Sequence, residues 1–178
     1  MHWSVPALLA ILAATSSAAS AADTVLSQFD SSWTPERWNK STGTLVSTPD
    51  GPHAPLPQGT IQVSYKGTGF EGFVINPAQL LVVPNSASTV SLWVKGGGTG
   101  YPISVKFQDA TGNKKSGDKD LEWGIFGATP DAWQQKSFTI PAEWARPVSI
   151  YALAVHNWDH QADALQVTYH VSELTTAP

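Results

Sequence analysis

The stretch Ser91-Leu92-Trp93-Val94-Lys95-Gly96-Gly97-Gly98-Thr99-Gly100-Tyr101-Pro102-Ile103-Ser104-Val105-Lys106-Phe107-Gln108 decides the fold class. Val90, Leu92 and Val94 alternate with Ser91, Trp93 and Lys95, and Ile103, Val105 and Phe107 alternate with Ser104, Lys106 and Gln108. A period of two is the mark of a half-buried strand. The glycine run at 96–100 reads as a hairpin turn between two such strands, and Asp109-Ala110-Thr111-Gly112-Asn113 as a second turn.

The same pattern extends in both directions. Runs rich in β-branched and aromatic residues, bounded by Gly, Pro, Asn or Asp, occupy 24–29, 42–47, 60–66, 70–75, 119–123, 134–140, 148–155 and 165–173. Pro35-Glu36-Arg37-Trp38 and Pro141-Ala142-Glu143-Trp144 read as single turns with Pro early. No segment sustains a helical period. Short strands at regular spacing predict an all-β fold, a two-sheet antiparallel sandwich or a barrel. The Pro-rich segment 48–59 is a long loop of the kind that often carries function.

Composition narrows the class. The 178 residues carry a net charge of −4, only 13% are charged and 42% are hydrophobic. This suits one domain with a proper core and lacks the basic footprint of a nucleic-acid binder. The absence of Cys excludes disulfides, thiolate metal sites and a cysteine nucleophile. Residues 1–21 hold an apolar run ending in Ala19-Ser20-Ala21, the pattern of a signal peptide. The run is too short to span a bilayer. The expectation is a leader at 1–21 and a single domain at 22–178, secreted or periplasmic, monomeric and off the membrane.

Alternation assigns faces. Ile61, Val63 and Tyr65 oppose Gln62 and Ser64; Tyr151, Leu153 and Val155 oppose Ala152, Ala154 and His156; Leu165, Val167, Tyr169 and Val171 oppose Gln166, Thr168 and His170. The first set in each case is read as core. Trp93 is the exception on the polar side. Two readings stand for it: covered by a terminal segment, or an exposed platform.

Here the sequence resembles a family. Ser91-Leu92-Trp93-Val94-Lys95-Gly96 followed by Asp109-Ala110-Thr111-Gly112 is similar to a "l-W-v-k-G" strand and a "D-a-x-G" turn of galactose-binding-like β-sandwich modules. Trp133 to Pro141 resembles their "W-x-x-x-x-f-x-i-P" strand. The resemblance covers roughly 24–174. It implies a jelly-roll sandwich and a non-catalytic carbohydrate-binding module for a neutral polysaccharide, a β-glucan or a similar plant or cell-wall glycan.

Sugars present apolar C–H faces and a ring of hydroxyls. Aromatic rings suit the first; amides and charged groups suit the second. The contact set is therefore Trp93, Trp123, Trp158, Gln62, Lys106, Gln108, His156, Gln166 and His170. Trp33, Trp38 and Trp144 lie beside Pro in irregular segments and read as packing plugs. Trp123 and Trp133 are open between core and contact. The resemblance also implies a structural calcium near the terminal strands, held by Asp30, Asp163 and Glu173. His156, Asp159 and His160 read as a solvated loop rather than a metal site, because their spacing suits a helix and the segment is a strand running into a loop.

Two rivals remain. A glycoside hydrolase or polysaccharide lyase of jelly-roll fold needs paired carboxylates; Glu122, beside Trp123, is the acid candidate, and nothing in the sequence names its partner. A surface adhesion or protein-interaction domain is the other.

Overall fold

The structure, a computed structural model, describes residues 23–29, 31–38, 42–48, 51–52, 58–65, 72–96, 103–125, 132–156 and 165–178. Within these, 37–38, 42–43, 58–65, 72, 156 and 165–167 are described by their backbone alone. The described chain contains strands and turns and no helix. The strands are β1 (Thr24–Ser27), β2 (Thr34–Trp38), β3 (Thr42–Thr48), β4 (Gln58–Tyr65), β5 (Gly72–Asn76), β6 (Leu81–Val82) and β7 (Thr89–Gly96). They continue with β8 (Ile103–Gln108), β9 (Lys115–Ser116), β10 (Lys119–Asp120), β11 (Glu122–Ile125), β12 (Gln134–Thr139), β13 (Ser149–His156) and β14 (Leu165–Ala177).

Two antiparallel sheets form a jelly-roll sandwich. Sheet A has the order β12-β7-β14-β4-β3, with β1 also on β14; sheet B has the order β11-β8-β13-β5-β2, with β6 also on β13. The short β9 and β10 form a separate ribbon. The two strands that decided the fold class are correctly read as strands, but they are not a hairpin. β7 pairs with β12 and β14, and β8 pairs with β11 and β13, so the two strands belong to different sheets; residues 97–100 lie outside the described residues.

Alternation on these two strands matches the burial. Val90, Leu92 and Val94 face Ile103, Val105 and Phe107 across a core in which all six are fully buried. Each such side chain contributes about 1.5–3 kcal/mol. Phe107, Phe138 and Trp144 pack as an aromatic cluster, with Phe107 centroids 5.7 Å from Phe138 and 5.3 Å from Trp144. Trp33 is buried against Phe29 at 4.7 Å, and its indole N–H donates to Ser27 Oγ at 3.0 Å. Trp33 and Trp144 are thus the plugs that the sequence suggests.

Gly96 ends β7 at φ +89°, and a Cβ there would sit 2.4 Å from the Thr168 carbonyl oxygen. Only glycine allows β14 to come so near. The turn after β8 is tied by Asp109, whose Oδ1 accepts from Thr111 N at 2.8 Å, Thr111 Oγ1 at 2.7 Å and Asn113 N at 2.9 Å. These bonds, led by the Thr111 hydroxyl, hold the Asp109 carboxyl below its ordinary pKa.

Three local readings change. Thr34 to Trp38 is a strand, not a turn; it lies at the edge of sheet B, where Pro35 costs no ladder bond. Trp123 faces the core side of β11, paired with Val105, and its ring stacks on Phe138 at 5.7 Å and 14°. It is half-buried and packs against the core. Tyr151 sits at a register shift in β13 between Ile150 and Ala152, and packs with Val74, Ala152 and Ala154 on the outside of sheet B. A β-bulge of this kind turns a side chain to the opposite face.

Candidate functional site

The contact set read from the sequence as one polar face lies on two. Directly paired residues on antiparallel strands point to the same side, so ladder register assigns each residue. Trp93 and His170 belong to the outer face of sheet A; Lys106 and Gln108 belong to the outer face of sheet B. Gln62 pairs with Thr168 and Gln166 with Ser64 in sheet A, while His156 pairs with Gly72 in sheet B; the side chains of these three lie outside the described residues. Trp158 also lies outside them. No single surface unites the set.

The outer face of sheet B is covered at its centre. Val74, Ser104, Ala152 and Ala154 point away from the core, yet each is between 1% and 3% exposed. Small residues form this floor, and larger groups rise around it. Along one wall Lys106, 5% exposed, forms an ion pair with Glu122 on the neighbouring strand β11. Beside it Lys114 Nζ lies 4.1 Å from the centroid of the Tyr151 ring. On the far side Asn76 donates to Glu36 at 3.0 Å, across β5 and β2. Burial, and then the carboxylates of Asp120 and Glu122, raise the Tyr151 hydroxyl above its ordinary pKa. The phenol therefore stays neutral, a donor and acceptor at the edge of an otherwise charged wall.

Sequence reasoning did not find Tyr151, Lys114, Asn76 or Glu36. Tyr151 was hidden by the bulge; the clue was the three-residue step from Ile150 to Leu153, which breaks a strict period of two. Asn76 and Glu36 became neighbours only through the edge strand β2.

The outer face of sheet A is built differently. Trp93 is half-buried and sits between Gln135 and Ser172 on the adjacent strands. One ladder step away, Lys95 pairs with His170. Trp133, just before β12, joins them: Lys95 Nζ lies 5.2 Å from its ring centroid, and His170 meets it edge-on at 6.2 Å and 80°. Trp133 is thus the residue that the sequence left open, and it lies on the polar side.

Two cavities lie elsewhere. One of about 260 Å³ is lined by Asp120, Glu122, Glu143, Phe138 and Trp144 at the β11 edge. Its Glu122 carboxylate is engaged by Lys106, the arrangement of an ion pair. Another of about 470 Å³ lies between β1 and the β5–β6 segment, lined by Leu26, Ser27, Trp33, Pro77 and Gln79 among others. Of the three residues expected to hold calcium, Glu173 alone is described; it occupies the bulge of β14 at φ +44°. Among the described residues no three His, Asp or Glu side chains converge as metal ligands.

No protein-family model matches the chain, and no curated protein matches it in sequence. Solved structures do match. The family 11 carbohydrate-binding module from Clostridium thermocellum, in complex with a β-1,3-1,4-mixed-linked tetrasaccharide, is 12% identical with a TM-score of 0.54, over 87% of this chain and 95% of that one. The family 11 module of a cellulosomal cellulase of the same organism is 12% identical with a TM-score of 0.51, over 88% and 94%. A third structure, of β-sandwich carbohydrate-binding modules with promiscuous specificity, is 13% identical with a TM-score of 0.55, over 83% and 57%. The likeness is one of fold: the chain has the β-sandwich fold of these carbohydrate-binding modules.

Proposed function

We propose that the protein is a non-catalytic carbohydrate-binding module that takes a neutral polysaccharide on the outer face of sheet B. One observation carries the reading: around the covered centre of that face stand an aromatic ring and hydrogen-bonding side chains, with Lys114 against the Tyr151 ring, Glu122 paired with Lys106, and Asn76 bonded to Glu36. The Tyr151 ring, Lys106, Lys114, Glu122 and Asn76 supply an aromatic surface and donors and acceptors for sugar hydroxyls. Hydrogen bonds to charged groups are the stronger ones, and a polymer without charge of its own meets no repulsion from this mixed wall. The structural neighbour solved with a mixed-linkage β-glucan fragment makes that polymer the first to try. The reading includes export, with residues 1–21 as leader, which sequencing of the mature N-terminus checks.

Affinity electrophoresis with mixed-linkage β-glucan, xylan and galactomannan, and pulldown on insoluble cellulose, test it. Retardation by at least one polymer is expected, with loss in Tyr151→Ala and in Lys114→Ala. No retardation on any of them overturns the reading. Release of reducing sugar from the retarding polymer, abolished in Glu122→Gln, would favour the hydrolase instead.

A further inference from the structure

We propose that the outer face of sheet A is a second carbohydrate-binding surface, with Trp93 and Trp133 as its stacking platform. The inference rests on the reading that the protein binds polysaccharide, and adds a second face to it. Three observations support it. First, two indoles sit at adjacent ladder steps among Ser, Thr, Gln, Lys and His on β7, β12 and β14. A large aromatic on a polar sheet face is the exception that calls for an explanation. Second, their surroundings are those a hydroxylated ring uses: the Gln135 amide beside Trp93, and Lys95 and His170 against Trp133.

Third, the face holds polar atoms that lack partners. Four buried side-chain polar atoms among the described residues make no hydrogen bond: Thr48 Oγ1, Trp133 Nε1, Ser172 Oγ and Thr175 Oγ1. Register places the three hydroxyls on this one face, and the contacts with Lys95 and His170 place Trp133 there. Thr175 pairs with Ser91, whose hydroxyl meets Ser137 at 2.8 Å on the outside; Ser172 pairs with Trp93; Thr48 ends the outward row that carries Thr44 and Val46 on β3. Ser172 is 0% exposed and Thr175 is 6% exposed, so water does not satisfy them freely. Buried polar groups without partners are rare in folded proteins, and an absent ligand or ordered water is among their causes. Ser172 is the cross-strand neighbour of Trp93, so a shift of that one ring changes access to its hydroxyl. Sugar hydroxyls both donate and accept, so a sugar seated after such a shift can meet these groups alike. With one surface on each sheet, a single molecule holds two chain segments at once, and its hold on a polysaccharide exceeds either affinity alone.

Isothermal titration with mixed-linkage glucan tetrasaccharide, xylohexaose and mannohexaose separates the two faces. With at least one of them, the intact protein should bind two oligosaccharides. Tyr151→Ala should keep the sheet A site; Trp93→Ala and Trp133→Ala should keep the sheet B site and weaken the other about tenfold, or about 1.4 kcal/mol. One-to-one binding that Tyr151→Ala abolishes, with the Trp variants unchanged, overturns the second surface and leaves the first reading intact. One-to-one binding abolished by Trp93→Ala and untouched by Tyr151→Ala upholds this surface and removes the sheet B site. No binding of any oligosaccharide overturns both. Should Trp93→Ala fail to fold, the same titration of Gln135→Ala, read with indole fluorescence in the Tyr151→Ala background, decides. A fluorescence change on adding the oligosaccharide supports the surface, and its absence sinks it.

Discussion

The two outer faces of this sandwich obey the same alternation and end up as opposite surfaces. On sheet A the outward positions near the middle are large, and Trp93, Lys95 and His170 stand half-buried. On sheet B the outward positions are Ser104, Ala152, Ala154 and Val74, and they are as buried as core residues. On the first face buried polar atoms lack partners; on the second the buried charge of Lys106 has one in Glu122. The difference teaches that pointing away from the core and being exposed are separate properties. Small outward residues between tall neighbours are covered by them, whereas large ones stand half-buried themselves.

Substitutions test that contrast, beginning with the largest effect. Glu122→Ala removes a carboxylate from a nearly buried ammonium, and should cost about 3 kcal/mol in a denaturant titration. Lys95→Ala on the opposite face, which removes a half-buried ammonium from the Trp133 ring, should cost about 1 kcal/mol. Equal costs would mean that the two faces are not different environments.

Alkaline pH probes sheet A from beneath. Burial pushes the Tyr169 hydroxyl from 10.0 up to about 12. The folded state therefore favours the neutral phenol. Its contribution is complete below pH 10 and is lost as pH rises toward 12, at most about 2.7 kcal/mol. Tyr169→Phe should flatten that stretch of the stability curve. Tyr151, on the sheet B wall, should also titrate late, and Glu122→Gln should bring it earlier by removing one of the carboxylates that raise it.

Ala154→Leu asks whether the sheet B floor is open. In a closed core an added bulk of this size costs about 1–3 kcal/mol. On an open floor it should leave the melting temperature nearly unchanged and weaken polysaccharide binding about tenfold, a loss of about 1.4 kcal/mol. The smallest effect is expected from Ser172→Ala. Removing a buried hydroxyl that has no partner should raise stability by up to about 1 kcal/mol rather than lower it. A loss of stability would mean that the hydroxyl is satisfied in solution.

Much of the architecture could be read from local pattern. The alternation in Ser91–Lys95 and Ile103–Gln108 identified both the strands and their inward sides, because a half-buried sheet imposes a period of two. The assignment of Trp93 and Lys106 to one surface failed for a long-range reason. Sheet membership is set by pairing partners far along the chain, such as β12 for β7 and β13 for β8, and adjacency in sequence does not report it. Tyr151 was lost to one inserted residue: the bulge between Ile150 and Ala152 breaks the period at that residue alone, and Leu153 and Val155 beyond it keep their core side. Trp123, open between core and contact in the sequence, pairs with Val105 and stacks on Phe138, which local pattern did not report. The Pro in Thr34–Trp38 argued against a strand, which holds for central strands and not for the edge position it occupies.

The pairing of β1 with β14 sets the timing of folding. Thr24 meets Thr176, and β14 also supplies the neighbours of β4 and β7. Sheet A thus has no centre until the segment through Ala177 has been made. During synthesis β3 with β4 and β7 with β12 can pair, but without β14 the two pairs do not join into one sheet. Non-local pairing of this kind is slow and leaves strand edges open while the chain waits. A ribosome-bound chain that stops before β14 should therefore remain sensitive to protease along β3, β4, β7 and β12 more than along sheet B, whose strands all precede β14, and lose that difference once β14 emerges.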